Sequence, residues 1–208
     1  MLEVAARKIR KQGLKDKISL VVGDLNRLPF QDYSFNTILC LTDTFSLNEN
    51  PSNLLLEVRR ILKTKSLAFV DFTNRLGFRI THWRNIYNAK SIRMLVDNLD
   101  KPELFDVSRS KEGTEIKWKA YFIDEATELF KNNDFEVEKI IGKPVLLHWR
   151  FPLLTDSGAT LKEDISLSSE MIDAIKKLEL RLCDETTLLG ICGKFMIIAR
   201  KQNDMKRS

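Results

Sequence analysis

Asp24 is the first residue whose type and position could do chemistry. It follows Gly23 at the end of the apolar run ISLVV (residues 18–22) and opens the segment DLNRLPFQDYSF. A short continuous apolar run bounded by a turn predicts a buried strand of the kind parallel sheets use. A carboxylate just past such a strand stands at the edge where open α/β sheets bind ligands. It could accept hydrogen bonds there from an amine or from ribose hydroxyls. Gly-Asp is also an ordinary turn pair, and Asp24 taken alone fits both roles. Other chemistries find less. His82 and His148 are the only histidines, and no Cys or carboxylate cluster joins them at metal-ligand spacing. The sequence has no G-x-S-x-G elbow for a nucleophilic serine. Cys183 and Cys192 read as buried core thiols. Trp83, Trp118, Trp149 and Phe151 could line an acceptor pocket or cover a sheet edge.

The elements that must position Asp24 follow from hydrophobic period. Leu2, Ala5, Ala6 and Ile9 share one helical face, and Gly13 with Leu14 suits the helix end. After the 18–22 strand comes a second buried strand at 35–41 (FNTILCL). Asn50-Pro51 marks a helix start, and Leu54, Leu55, Val58, Ile61 and Leu62 form its apolar stripe. A third strand runs over 67–70 into Asp71. Residues 74–114 read as an insertion, with one helix over 83–98. Regular structure resumes with a strand at 116–122, a helix from Asp124, and a half-buried strand at 135–141. A second insertion covers 142–166. Met171, Ile175, Leu178 and Leu182 space out an amphipathic helix, and 194–199 (KFMIIA) is the last strand. Helices and short apolar strands in alternation predict an α/β sheet with crossover helices.

Composition agrees with one folded domain. The 208 residues are 43% apolar and 30% charged, which excludes a largely disordered chain. Lys and Arg total 34 against 29 Asp and Glu, a formal charge of +5. The two signs interleave, so the excess suits solubility better than nucleic-acid binding. The net-basic residues 201–208 read as a frayed tail. No apolar run is long enough to span a membrane, and the first residues lack a signal-peptide stretch. Three scattered cysteines make no disulfide framework, so a cytoplasmic, reducing setting is expected.

The ordered set of motifs resembles the class I S-adenosylmethionine-dependent methyltransferases. The resemblance is carried by the opening helix MLEVAAR, then Gly23-Asp24, Leu28-Pro29-Phe30, Asp32, Ser34-Phe35 and the buried strand behind them. It continues through EVRRILKTKS (residues 57–66), where Thr-Lys-Ser replaces the family's Pro-Gly-Gly turn. It extends to YFIDEATELFKNNDFEVEKIIGKP, with Asn133 where a glycine is usual, and to KFMIIARK. It implies an α/β, Rossmann-like doubly wound sheet in family order 3-2-1-4-5-7-6, mostly parallel with an antiparallel last strand. The two insertions would form a small cap.

By the same resemblance S-adenosylmethionine is the cofactor and a small or medium-sized molecule the methyl acceptor. Asp24 would meet the adenine amine, and the Leu25 N–H the adenine ring edge. Leu41 and Thr42 would line the cofactor. Asp43 and Phe45 would stand near the methyl group or the substrate. No catalytic base and no metal is implied. The family's Gly-rich loop is not found: none of the eight glycines is spaced G-x-G. The expectation is therefore a domain over 1–200 that is N-terminally truncated by a strand–helix–strand unit of about 30 residues, and inactive by itself. The strand at 18–22 would then pair imperfectly with 35–41 or lie loosely beside it. A non-catalytic or partner-completed α/β domain is the alternative.

Overall fold

A computed structural model describes residues 2–82, 97, 101, 103–106, 116–145 and 168–203. The helix expected over 83–98 lies almost wholly outside them. So do much of both expected insertions, the histidine at 148, and the aromatics at 83, 149 and 151.

Helix α1 (Leu2–Lys11) ends as its sequence predicts: Leu14 N donates to Ile9 O at 3.0 Å and Gly13 N to Arg10 O at 3.1 Å. The first strand is β1 (Phe35–Cys40), followed by a single-turn helix α2 (Thr44–Leu47). Helix α3 (Pro51–Ile61) starts at the expected cap, where Asn50 Oδ1 accepts from Asn53 N at 3.1 Å. Its apolar stripe, Leu54, Leu55, Val58 and Ile61, is buried. Strand β2 (Leu62–Thr73) is longer than expected and leads into α4 (Arg75–His82). A small hairpin pairs β3 (Glu103–Asp106) with β4 (Ile116–Lys119). The chain then forms α5 (Ile123–Lys131), β5 (Phe135–Lys143), α6 (Ser169–Leu182), α7 (Thr186–Leu189) and β6 (Lys194–Lys201).

Among the described residues the main sheet has four strands, in the order β1-β2-β6-β5. β1 pairs parallel to β2, and β6 runs antiparallel to both β2 and β5. β1, β2 and β5 thus share one direction and the last strand opposes them. This is the expected open α/β sheet, and its order matches the last four positions of 3-2-1-4-5-7-6. The core centres on Phe72, with the rings of Phe45, Tyr121, Phe130 and Phe195 all within 6.1 Å of it, centroid to centroid.

Three expectations need correction. Residues 18–22 form no strand: they are exposed, Val22 by 79%, and β1 is the sheet edge among the described residues. Apolar content alone cannot make a strand whose backbone has no neighbour to bond. Lys201 is no frayed tail. It closes β6, 1% exposed, with Nζ donating to Leu62 O at 3.0 Å and standing over the Tyr33 ring. Cys192 is buried, whereas Cys183 is only half-buried.

Candidate functional site

At the C-terminal end of β1 lies a cleft of about 570 Å3. Its wall includes Asp24, Leu25, Asn26, Thr42, Thr44 and Asn48. Asp24 and Thr42, which follows β1, are 18 residues apart in sequence, and the fold brings them to one opening. Asp24 Oδ1 accepts from Asn26 N at 2.8 Å, an Asx turn, so the carboxylate does shape its loop. Its Oδ2 accepts nothing from the described residues, and the Leu25 N–H donates to none of them. An acceptor and a neighbouring donor thus stand open side by side.

Asparagines tie the two walls together. Asn48 Nδ2 reaches Asn26 Oδ1 at 3.5 Å, and Asn53 Nδ2 donates to Asn26 O at 3.0 Å. The loop after Asp24 is fastened from α3. Glu57 Oε2 accepts from Leu28 N at 2.7 Å, while Arg60 donates to Leu28 O, Phe30 O and Asp32 Oδ1 at 2.9, 2.8 and 2.7 Å. These hydrogen bonds to charged groups are the strong kind. They give LPF-x-D a physical reason: each of these loop positions presents a group to one carboxylate–guanidinium pair.

The other expected residues fall differently. Leu41, half-exposed, ends β1 beside the cleft, and its carbonyl accepts from Thr44 Oγ1 at 2.8 Å. Asp43 lies behind the wall, with Oδ1 accepting from Thr73 Oγ1 at 2.8 Å and Oδ2 paired with Lys194 Nζ at 2.5 Å. Phe45 presents no surface to the cleft: it is fully buried, its ring 5.4 Å from that of Phe72. Thr42 and Asp43 both take left-handed backbone, φ 69° and 62°. Such conformations cost non-glycine residues roughly 1–2 kcal/mol each and gather at functional sites.

Sequence reasoning did not single out Asp71. It stands near the end of β2, buried at 3% exposure, and its carboxylate accepts from both Thr42 N and Asp43 N. Only the strand's turn to a charged residue marked it. Cys40, also at this edge, is no nucleophile: burial, with Asp71 adding, pushes its thiol up to about 11, so it stays protonated at neutral pH. Among the described residues no three His, Cys, Asp or Glu converge as metal ligands. No helix of the described residues is long and apolar enough to cross a membrane.

Comparison with known proteins gives a consistent picture. Residues 1–65 match the family model described as methyltransferase domain. No curated protein matches the sequence. Among solved structures, the chain resembles a SAM-dependent methyltransferase from Methanosarcina mazei, TM-score 0.57 at 18% identity, over 97% of this chain and 77% of that one. It also resembles a SAM-dependent methyltransferase from Thermotoga maritima, TM-score 0.51 at 16% identity, over 93% and 70%. The cyclase SpnF has TM-score 0.52 at 14% identity, over 96% of this chain and 62% of its own. At these identities the likeness is one of fold, and a cyclase among the neighbours shows that this fold does not fix the reaction.

Proposed function

From the premise that this chain has the class I methyltransferase fold and opens with a methyltransferase-domain segment, we propose that its cleft takes the adenine end of S-adenosylmethionine, for methyl transfer to a small or medium-sized acceptor. The residues present fit that end of the cofactor. Asp24 Oδ2 is open to accept from the adenine amine, the Leu25 N–H is open to the ring edge, and Thr42 stands in the same lining, with Leu41 next to it in sequence. When bound, the sulfonium supplies an electrophilic methyl group. The chain's own residues have then only to bind and orient, which for a donor this reactive can dominate catalysis. Asp43, its two carboxylate oxygens engaged by Thr73 and Lys194, supports the wall from behind in this reading. Phe45 supports α2 from the core and touches no ligand in this reading. The observation that carries the proposal is the meeting of Asp24, Leu25 and Thr42 in one cleft.

The test is a titration of the protein with S-adenosylhomocysteine, followed at the backbone amides by NMR. The amides of Asp24, Leu25 and Thr42 should shift. Asp24→Ala should weaken binding by about 1.5–3 kcal/mol, the range for hydrogen bonds to a charged group, with folding unchanged. Equal affinities would return Asp24 to its role in the turn.

A second reading is a partner-completed or non-catalytic domain. It is favoured by the β1 edge, where Leu39 is 63% exposed and the apolar 18–22 segment lies open. Unpaired edges of this kind are sites of strand addition.

A further inference from the structure

Two consecutive residues of an open turn, Thr42 and Asp43, keep left-handed backbone although neither is glycine, and one is β-branched. Such a pair persists only where its surroundings over-determine it. Among the described residues, both amides donate to the Asp71 carboxylate. Oδ2 accepts from Thr42 N at 3.1 Å and Oδ1 from Asp43 N at 3.2 Å. Asp71 lies on β2, one residue past the last β1 pair, Cys40 with Val70, and its backbone is held in register by Met196 of β6. Its charge is met from a third strand: Lys143 Nζ, at the end of β5, lies 2.9 Å from Oδ2. The turn's own side chain is fixed to the same strand ends through Thr73 and Lys194.

We propose that Asp71 is a positioning residue: its carboxylate, held by Lys143, clamps the left-handed Thr42–Asp43 turn and so sets the lining of the cleft at Thr42. Asp71 touches no ligand itself. It acts through two amides, converting the rigidity of the sheet into a fixed place for Thr42. The proposal rests on the reading of the cleft as a cofactor site, and its first readout is independent of that reading.

That readout is amide exchange and three-bond HN–Hα coupling, by NMR, on the wild-type chain and on Asp71→Asn. The amides of Thr42 and Asp43 should exchange faster by on the order of tenfold and lose the coupling of positive φ, while Ile197 and Ala199 of β6 keep their protection. Glycine adopts positive φ without steric cost, so adding Thr42→Gly to Asp71→Asn should restore the coupling pattern at the turn. In the S-adenosylhomocysteine titration, affinity read at Asp24 and Leu25 should fall several-fold in Asp71→Asn. Should Asp71→Asn fail to fold, Lys143→Met is read in its place and must loosen the same two amides. Unchanged protection at Thr42 and Asp43, or equal loosening across β6, overturns the clamp. Wild-type titration shifts that avoid Asp24 and Leu25 overturn the cofactor reading instead, and leave the exchange result to judge the clamp.

Discussion

Asp24 was legible in the sequence because its signal is local: an apolar run, a Gly-Asp turn and the LPF-x-D spacing sit within a dozen residues. Asp71 was not, because its work is done on backbone amides 28 and 29 residues away, and an Asp near the end of a strand has no spacing that says so. The same limit hid Asp134. A glycine-like position was read at Asn133, yet the left-handed residue is the next one, Asp134, with φ 58°. Asp and Asn both tolerate this conformation, so composition could not choose between neighbours. Tyr121 shows a cost at this scale. It is 2% exposed, and its hydroxyl has no hydrogen-bond partner among the described residues. Burial pushes its ionisation up to about 12, so it remains a neutral phenol. A buried polar atom left unsatisfied is destabilising by about 1–3 kcal/mol. Tyr121→Phe keeps the ring that packs on Phe72 and should raise the midpoint of urea unfolding with an unchanged slope. A lowered midpoint would mean that the hydroxyl has a partner.

At the scale of elements, α3 and β2 were readable because their caps and periods are complete in themselves, while 18–22 depended on a neighbour that periodicity cannot name. The loop from Asp24 to β1 is held by Glu57 and Arg60 of α3. The Arg60 hydrogen bond holds the Glu57 carboxyl below its ordinary 4.5, with the Leu28 N–H assisting against burial. A carboxyl depressed on folding contributes stability that is present above the ordinary value and lost as pH falls through the lowered one. Glu57→Gln should therefore cost about 1–2 kcal/mol at pH 7, by an equal margin down to about pH 5. The difference should close at more acidic pH. Unfolding curves of both proteins from pH 7 to pH 3 check it, and a gap constant over that whole range would deny the carboxylate its role. Between α4 and β6 the constraint is steric. A Cβ on Gly77 would stand 1.9 Å from the Cys192 carbonyl oxygen, so the helix could not lie where it does. Gly77→Ala should destabilise by about 3 kcal/mol, at the upper end of overpacking costs, and thermal unfolding with an unchanged midpoint would show that the helix can shift freely.

On the scale of the whole molecule, the described core gathers on Phe72, which packs against Phe195 of β6 and Phe130. Among the described residues, β1 is the sheet edge and the apolar residues 18–22 are exposed. The order of strands was legible because the motif series runs through the whole sequence; the loose 18–22 segment was legible only as one of two outcomes. What the cleft holds bears on function. Its lining supplies a carboxylate, an amide donor and hydroxyls suited to a heteroaromatic amine. The sequence contains no G-x-G loop through which a backbone could approach the methionine portion. A methionine portion left unheld would leave the sulfonium methyl unfixed, and misplacement by about 1 Å can cost on the order of a hundredfold in rate. The 208-residue chain alone should therefore bind S-adenosylmethionine at roughly millimolar strength, where about 4 kcal/mol of binding remains, and should transfer no methyl group. Equilibrium binding of radiolabelled S-adenosylmethionine to the purified chain, with no added partner, measures this directly. Saturable binding at micromolar concentration would mean that the ribose and methionine are gripped elsewhere in this chain, and that the cleft beside Asp24 is not the cofactor's principal seat.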